Sequence, residues 1–98
     1  MYFVLLGYDG TDGEAPARRA AARPAPLENM KPLLEAGIFL YGGALLDSEG
    51  NPKGSMMVLK YPSEEALRTE FLPSEPYHLQ GVWQRVEIHP HKPAEYFL

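Results

Sequence analysis

The sequence predicts a single α+β domain in which four antiparallel strands form one sheet with the helices on one of its faces. Three observations carry this reading. Four short apolar runs, at residues 2–8, 38–46, 55–61 and 82–89, are bounded by clusters of Gly, Pro, Asp, Asn and Ser, as strands are. Two segments between them carry helical spacing and caps. The resulting order is strand, helix, strand, strand, helix, strand.

The first strand places Tyr2, Val4, Leu6 and Tyr8 on one face and Phe3, Leu5 and Gly7 on the other, so both faces are apolar. No basic segment precedes it, which separates it from a signal peptide. After the turn Asp9-Gly10-Thr11-Asp12-Gly13, residues 16–36 read as helical, with Pro24, Pro26 and Pro32 interrupting the pattern. This predicts an irregular lead-in, a regular helix from near Pro26, and a stop at Gly37. The second and third strands form a hairpin with a loop over residues 47–54. Ser63 caps a helix running to about Phe71, with Glu64 and Glu65 where the helix dipole favours acids. Ser74-Glu75-Pro76-Tyr77 opens a short helix over about residues 75–80. In the last strand Val82, Gln84, Val86 and Ile88 share one face, and Trp83, Arg85, Glu87 and His89 the other. Residues 90–98 read as a tail apolar enough at its end to pack on a partner subunit.

This order is that of the ferredoxin-like split β-α-β topology, with both helices on one sheet face. The other face is apolar too, so pairing two sheets is the simplest way to bury it, and a homodimer is expected.

Composition narrows the function. The chain has 98 residues, enough for one core, and 45% hydrophobic with 22% charged residues is the balance of a folded globular protein. A net charge of −4, with the nine Lys and Arg scattered, argues against nucleic acid as a partner. No apolar run is long enough to span a bilayer, so no membrane is expected. The absence of cysteine excludes disulfides and thiolate chemistry and is compatible with a cytoplasmic location.

Several residues could carry chemistry. Glu75, held at a cap beside the aromatic Tyr77, could serve as a general base if partly desolvated; otherwise it stabilises a helix N-terminus. His78 would share a helical face with Glu75 and could form an acid/base pair with it; as a surface histidine it would do nothing. Arg23 could pair with Glu75 or hold an anionic ligand through its planar fork. Gly42-Gly43 sits inside a strand pattern, which excludes a phosphate loop and points to a close backbone approach. Beside Tyr8, Tyr41 and Trp83, Gly43 could shape a small apolar cleft, although these aromatics could equally fill a dimer core. His89-Pro90-His91 lacks a third ligand, so no metal is expected, and no motif calls for a cofactor.

Together these segments resemble the YciI-like (YCII-related) family of small dimeric ferredoxin-like proteins, of the dimeric α/β-barrel type. The resemblance rests on Tyr2 to Tyr8 with Asp9, Arg23-Pro24-Ala25, Leu33 to Gly37, Gly43 to Asp47, Gly50-Asn51-Pro52 with Gly54-Ser55, and Glu75-Pro76-Tyr77 with Gly81. It implies a catalytic pair made of a histidine three residues after the arginine and an aspartate in an Asp-Pro-Tyr turn. Here Pro26 stands at the histidine position and Glu75 at the aspartate position. The resemblance therefore implies a dimeric binding domain for a small anionic or aromatic ligand. The alternative it offers is an isomerase or lyase, like the family's dehydrochlorinases and lactone isomerases, working through Glu75.

Overall fold

The computed structural model describes the backbone over residues 1–98 and every side chain except those of Pro24, Pro26 and Leu27. Strands β1 (Tyr2–Asp9), β2 (Phe39–Leu46), β3 (Pro52–Lys60) and β4 (Trp83–His91) form one antiparallel sheet in the order β2-β3-β1-β4. That is the ferredoxin-like arrangement: β1 and β3 are central, helical crossovers join β1 to β2 and β3 to β4, and a hairpin joins β2 to β3. Phe3, Leu5, Met57, Leu59 and Ile88 project from one sheet face into a core completed by Ala22, Met30, Leu67, Phe71, Leu72 and Tyr77 from the helical segments. The helices therefore cover that face alone.

The segment expected to be an irregular lead-in is a helix of its own. Helix α1 (Ala15–Ala22) breaks at Arg23, and α2 (Pro24–Glu35) begins at once with a proline in its first turn. A proline there has no N–H to waste, so the chain re-enters the helix without losing a bond. Gly37 closes α2 with φ +76°: its N–H bonds Leu34 and the N–H of Ile38 bonds Leu33, so the last carbonyls are satisfied.

The hairpin loop is shorter than expected, because β3 starts at Pro52; the Asp47 carboxylate ties the turn by accepting the Glu49 and Asn51 N–H groups, each at 2.9 Å. Ser63 caps α3 (Glu64–Ala66) by accepting the Ala66 N–H at 3.1 Å. That helix continues as a π-helical turn over Leu67–Phe71 and a 3-10 turn over Leu72–Ser74. Glu75 then caps α4 (Pro76–Leu79).

Two expectations for the C-terminal region are corrected. Pairing of β1 with β4 slips between Tyr8 and Asp9, so Tyr8 faces Arg85 while Asp9 faces Trp83. The extra residue turns Trp83 onto the helix-covered face, away from Arg85, Glu87 and His89. Its ring lies over Gly7, where a Cβ would overlap it, and the residue is buried. Strand β4 also runs on to His91, pairing Pro90 with Phe3 and His91 with Tyr2, so the free tail is shorter than residues 90–98. Among the described residues no helix is long and apolar enough to cross a membrane.

Candidate ligand-binding site

Arg19 is the centre of a buried polar network. It lies on α1 four residues before Arg23, hence on the same side, and is 6% exposed. Its Nη1 donates to both carboxylate oxygens of Asp9 at the end of β1, at 3.0 and 3.1 Å. Its Nη2 donates to Ser55 Oγ on β3 at 2.9 Å, and its guanidinium lies 4.6 Å from the centre of the Tyr77 ring. Ser55 Oγ also accepts the Trp83 indole N–H at 3.2 Å, and Trp83 packs against Tyr77 with ring centres 5.8 Å apart. The loop of contacts thus closes on itself. A buried arginine requires such pairing, since an unpaired charge away from water is costly.

Beside this network a cavity of about 460 Å³ opens between the helices and the β2–β3 side of the sheet. Its walls are largely apolar, from Met30, Leu34, Phe39 and Met57, with Arg19, Ser55 and Tyr77 at its inner side and Arg23 and Lys31 adding positive charge. Arg23 Nη1 makes one long hydrogen bond, 3.5 Å, to the Tyr77 hydroxyl. Among the described residues no carboxylate pairs with Arg23 or Lys31, so both charges are available to a ligand. Gly42, Gly43 and Ala44 line the β2 side without bulk. A broader depression of about 600 Å³ beyond the β1 end holds Arg18 and Asp12, which form an ion pair at 2.6 Å.

The residues singled out from sequence are distributed unevenly. Arg23, Tyr77 and Gly43 line the cavity. Tyr8 does not: its side chain sits on the opposite sheet face, where Arg85 stacks 4.2 Å from its ring centre. Trp83 does not line the cavity and meets it through Ser55 and Tyr77, and Tyr41 is exposed at the sheet edge. The aromatic cleft expected beside Gly43 is therefore not formed, because the bulge at Tyr8 and Asp9 puts two of its members on different faces of the sheet.

Glu75 is 1% exposed and faces a separate cavity of about 290 Å³ lined by Asn29, Leu33, Phe71 and Glu28 among others. Its Oε1 accepts the Tyr77 N–H at 2.9 Å, and among the described residues its Oε2 has no partner. Burial pushes its carboxyl above the ordinary value, opposed only by that one bond. Of the two roles open to Arg23, pairing with Glu75 is not seen among the described residues, and Arg23 turns to Tyr77 instead. His78 is exposed on α4 and makes no hydrogen bond to Glu75 among the described contacts: the cap draws the carboxylate inward while the histidine faces solvent. Pro26, at the histidine position of the family, lies outside the described side chains. Among the described residues no three His, Asp or Glu side chains are arranged to hold a metal ion.

Sequence reasoning missed Arg19, Asp9 and Ser55 as a unit. The available signal was the four-residue spacing of Arg19 and Arg23 in an alanine-rich helix, which puts two cations on one side.

A four-stranded sheet with one helical face, an arginine-lined cavity beneath it and a Glu-Pro-Tyr cap define a small ferredoxin-like α+β domain with a ligand-sized site. The YCII-related domain family matches residues 1–92, and the chain belongs to that family. It is 40% identical over 72 residues, 64% of this chain and 70% of the relative, to the derivative of benzaldehyde biosynthesis cluster protein C of Emericella nidulans. Among solved structures it is similar to the 5-chloro-2-hydroxyhydroquinone dehydrochlorinase TftG of Burkholderia phenoliruptrix, in complex with 2,5-dihydroxybenzoquinone. The TM-score is 0.81 over 98% of both chains at 19% identity, a likeness of fold. Protein Atu4242 of Agrobacterium tumefaciens is a more distant neighbour, with a TM-score of 0.54 at 20% identity over 98% of this chain and 96% of that one.

Proposed function

We propose that this chain is a small-molecule-binding protein of the YCII-related family, cytoplasmic and homodimeric, that takes a planar anionic ring compound into the cavity between α2 and the β2–β3 side of the sheet. The observation that carries this is the pairing of apolar walls with two cations lacking carboxylate partners among the described residues. A volume of about 460 Å³ suits a small ligand. Met30, Leu34, Phe39 and Met57 supply the contact area for a ring, and the Arg23 fork supplies bidentate donors for its oxyanions.

The ligand bound to the dehydrochlorinase, 2,5-dihydroxybenzoquinone, is a suitable probe because it is flat and carries acidic hydroxyls. Calorimetric titration should show saturable binding to the unmodified protein. Arg23→Met should weaken it about tenfold or more, as loss of a charged hydrogen bond does. Binding indifferent to Arg23→Met would overturn this reading.

A second reading, an isomerase or lyase with Glu75 as base, is favoured by one observation: a buried carboxylate with one oxygen lacking a partner and an elevated pKa. Glu75 lines a different cavity from Arg23, with Met30 shared between the two, so this chemistry requires the ligand to reach past Met30. Chloride release from 5-chloro-2-hydroxyhydroquinone, abolished in Glu75→Gln, would establish it.

A further inference from the structure

We infer that Ser55 is a specificity-determining residue whose hydroxyl proton is aimed into the cavity to donate to an oxyanion of the bound ligand. The inference rests on the cavity's being a ligand site, as proposed above, and adds which atom reads the ligand's charge.

A serine hydroxyl has one proton and two lone pairs. At Ser55 both lone pairs are engaged, one by Arg19 Nη2 at 2.9 Å and one by the Trp83 indole N–H at 3.2 Å. Both partners are donors only, so neither can accept the serine proton. Among the described residues no acceptor for that proton is found, although the residue is 3% exposed. The proton is thus left pointing where Ser55 meets the cavity it lines.

The strand neighbours leave that direction open. Ser55 pairs with Gly7 on one side, which the Trp83 ring covers, and with Ala44 on the other, whose methyl group is small and borders the cavity. Two N–H donors, one cationic, draw electron density from Oγ and make its proton a stronger donor. An anionic acceptor suits this position better than a neutral one, because Arg23 and Lys31 line the same cavity. Arg19 is committed to Asp9, so it acts here as a positioning residue that holds the hydroxyl in orientation.

The test uses the unmodified protein and 2,5-dihydroxybenzoquinone. Trp83 is the single tryptophan of the chain, so one indole N–H resonance reports directly on the acceptor Oγ. Donation by Ser55 to the ligand makes Oγ a better acceptor, and the indole proton should move downfield in step with saturation. Ser55→Ala should bind the probe about tenfold more weakly. Because that variant strips two buried N–H groups of their acceptor, the NMR titration stands as the measurement that needs no mutation. Binding with an unmoved indole resonance would overturn the inference and leave the cavity reading intact. Absence of binding in the unmodified protein would overturn both.

Discussion

Arg19 and Asp9 form an ion pair at 3.0 Å with side chains only 8% and 5% exposed, joining the first helix to the end of the first strand. Removing one partner of such a pair leaves a buried charge uncompensated, whereas removing both does not. Asp9→Ala should therefore lower unfolding stability by about 3 kcal/mol. The double variant Asp9→Ala, Arg19→Met should recover much of that loss. Urea unfolding measures both, and a loss below about 1 kcal/mol in Asp9→Ala would contradict the assignment.

Gly7 is required because the Trp83 indole occupies the space a side chain would need. Gly7→Ala should displace the ring, disturb the Ser55 hydrogen bond and cost roughly 2 kcal/mol through overpacking. Gly13→Ala, where a Cβ meets nothing within 4 Å, serves as the control and should change stability by a few tenths of a kcal/mol at most. Thermal or urea unfolding of the pair separates the two outcomes.

Glu75 makes stability depend on pH in a calculable direction. Burial raises its folded-state pKa above the ordinary 4.5, opposed only by the hydrogen bond from the Tyr77 N–H. The native state therefore binds the Glu75 proton more tightly than the unfolded chain does. That stabilising contribution is complete below pH 4.5 and is lost as pH rises through the elevated folded value. Glu75→Gln keeps an oxygen to accept the Tyr77 N–H and carries no charge. Its stability should hold steady over the range where the wild type declines, leaving it the more stable at neutral pH. Parallel urea unfolding series across pH would test this, and parallel slopes for the two proteins would refute it.

The face of the sheet away from the helices bears on assembly. Tyr2, Val4, Leu6 and Tyr8 are half-buried there, beside Met56 and buried Val58, with Tyr41 65% exposed at the edge. The proposed homodimer covers this face with a second copy. Light scattering should give twice the mass of one chain, and Leu6→Lys should shift it to the monomer by burying a charge at the interface. A monomeric wild type at micromolar concentration would count against the proposal.

Much of the fold is legible in local pattern. The alternation in Tyr2 to Tyr8 separates the buried Phe3, Leu5 and Gly7 from their half-buried neighbours, as observed. Ser63 and Glu75 cap the helices expected of them, and Gly37 takes the positive φ that ends α2. These features need only a few adjacent residues, because capping and alternation act over one turn or one pleat. The side of Trp83 was not legible: a strict two-residue period runs through it, and the bulge that breaks the period arises from pairing with a strand more than seventy residues earlier in the chain.

The adjacent arginines mark where sequence stops and tertiary structure begins. By itself the sequence determined the alternation of strands and helical segments and the sheet topology that follows from it, since these are carried by local spacing and turn chemistry, while the YCII-related family came from resemblance over the whole chain. It could not distinguish Arg18, which pairs at the surface with Asp12, from Arg19, which is buried against Asp9, Ser55 and Tyr77. Which of the two enters the core is decided by how α1 is rotated against β1 and β3. A buried charge is tolerated only where partners from distant segments converge on it, and that convergence also places Ser55 at the wall of the cavity.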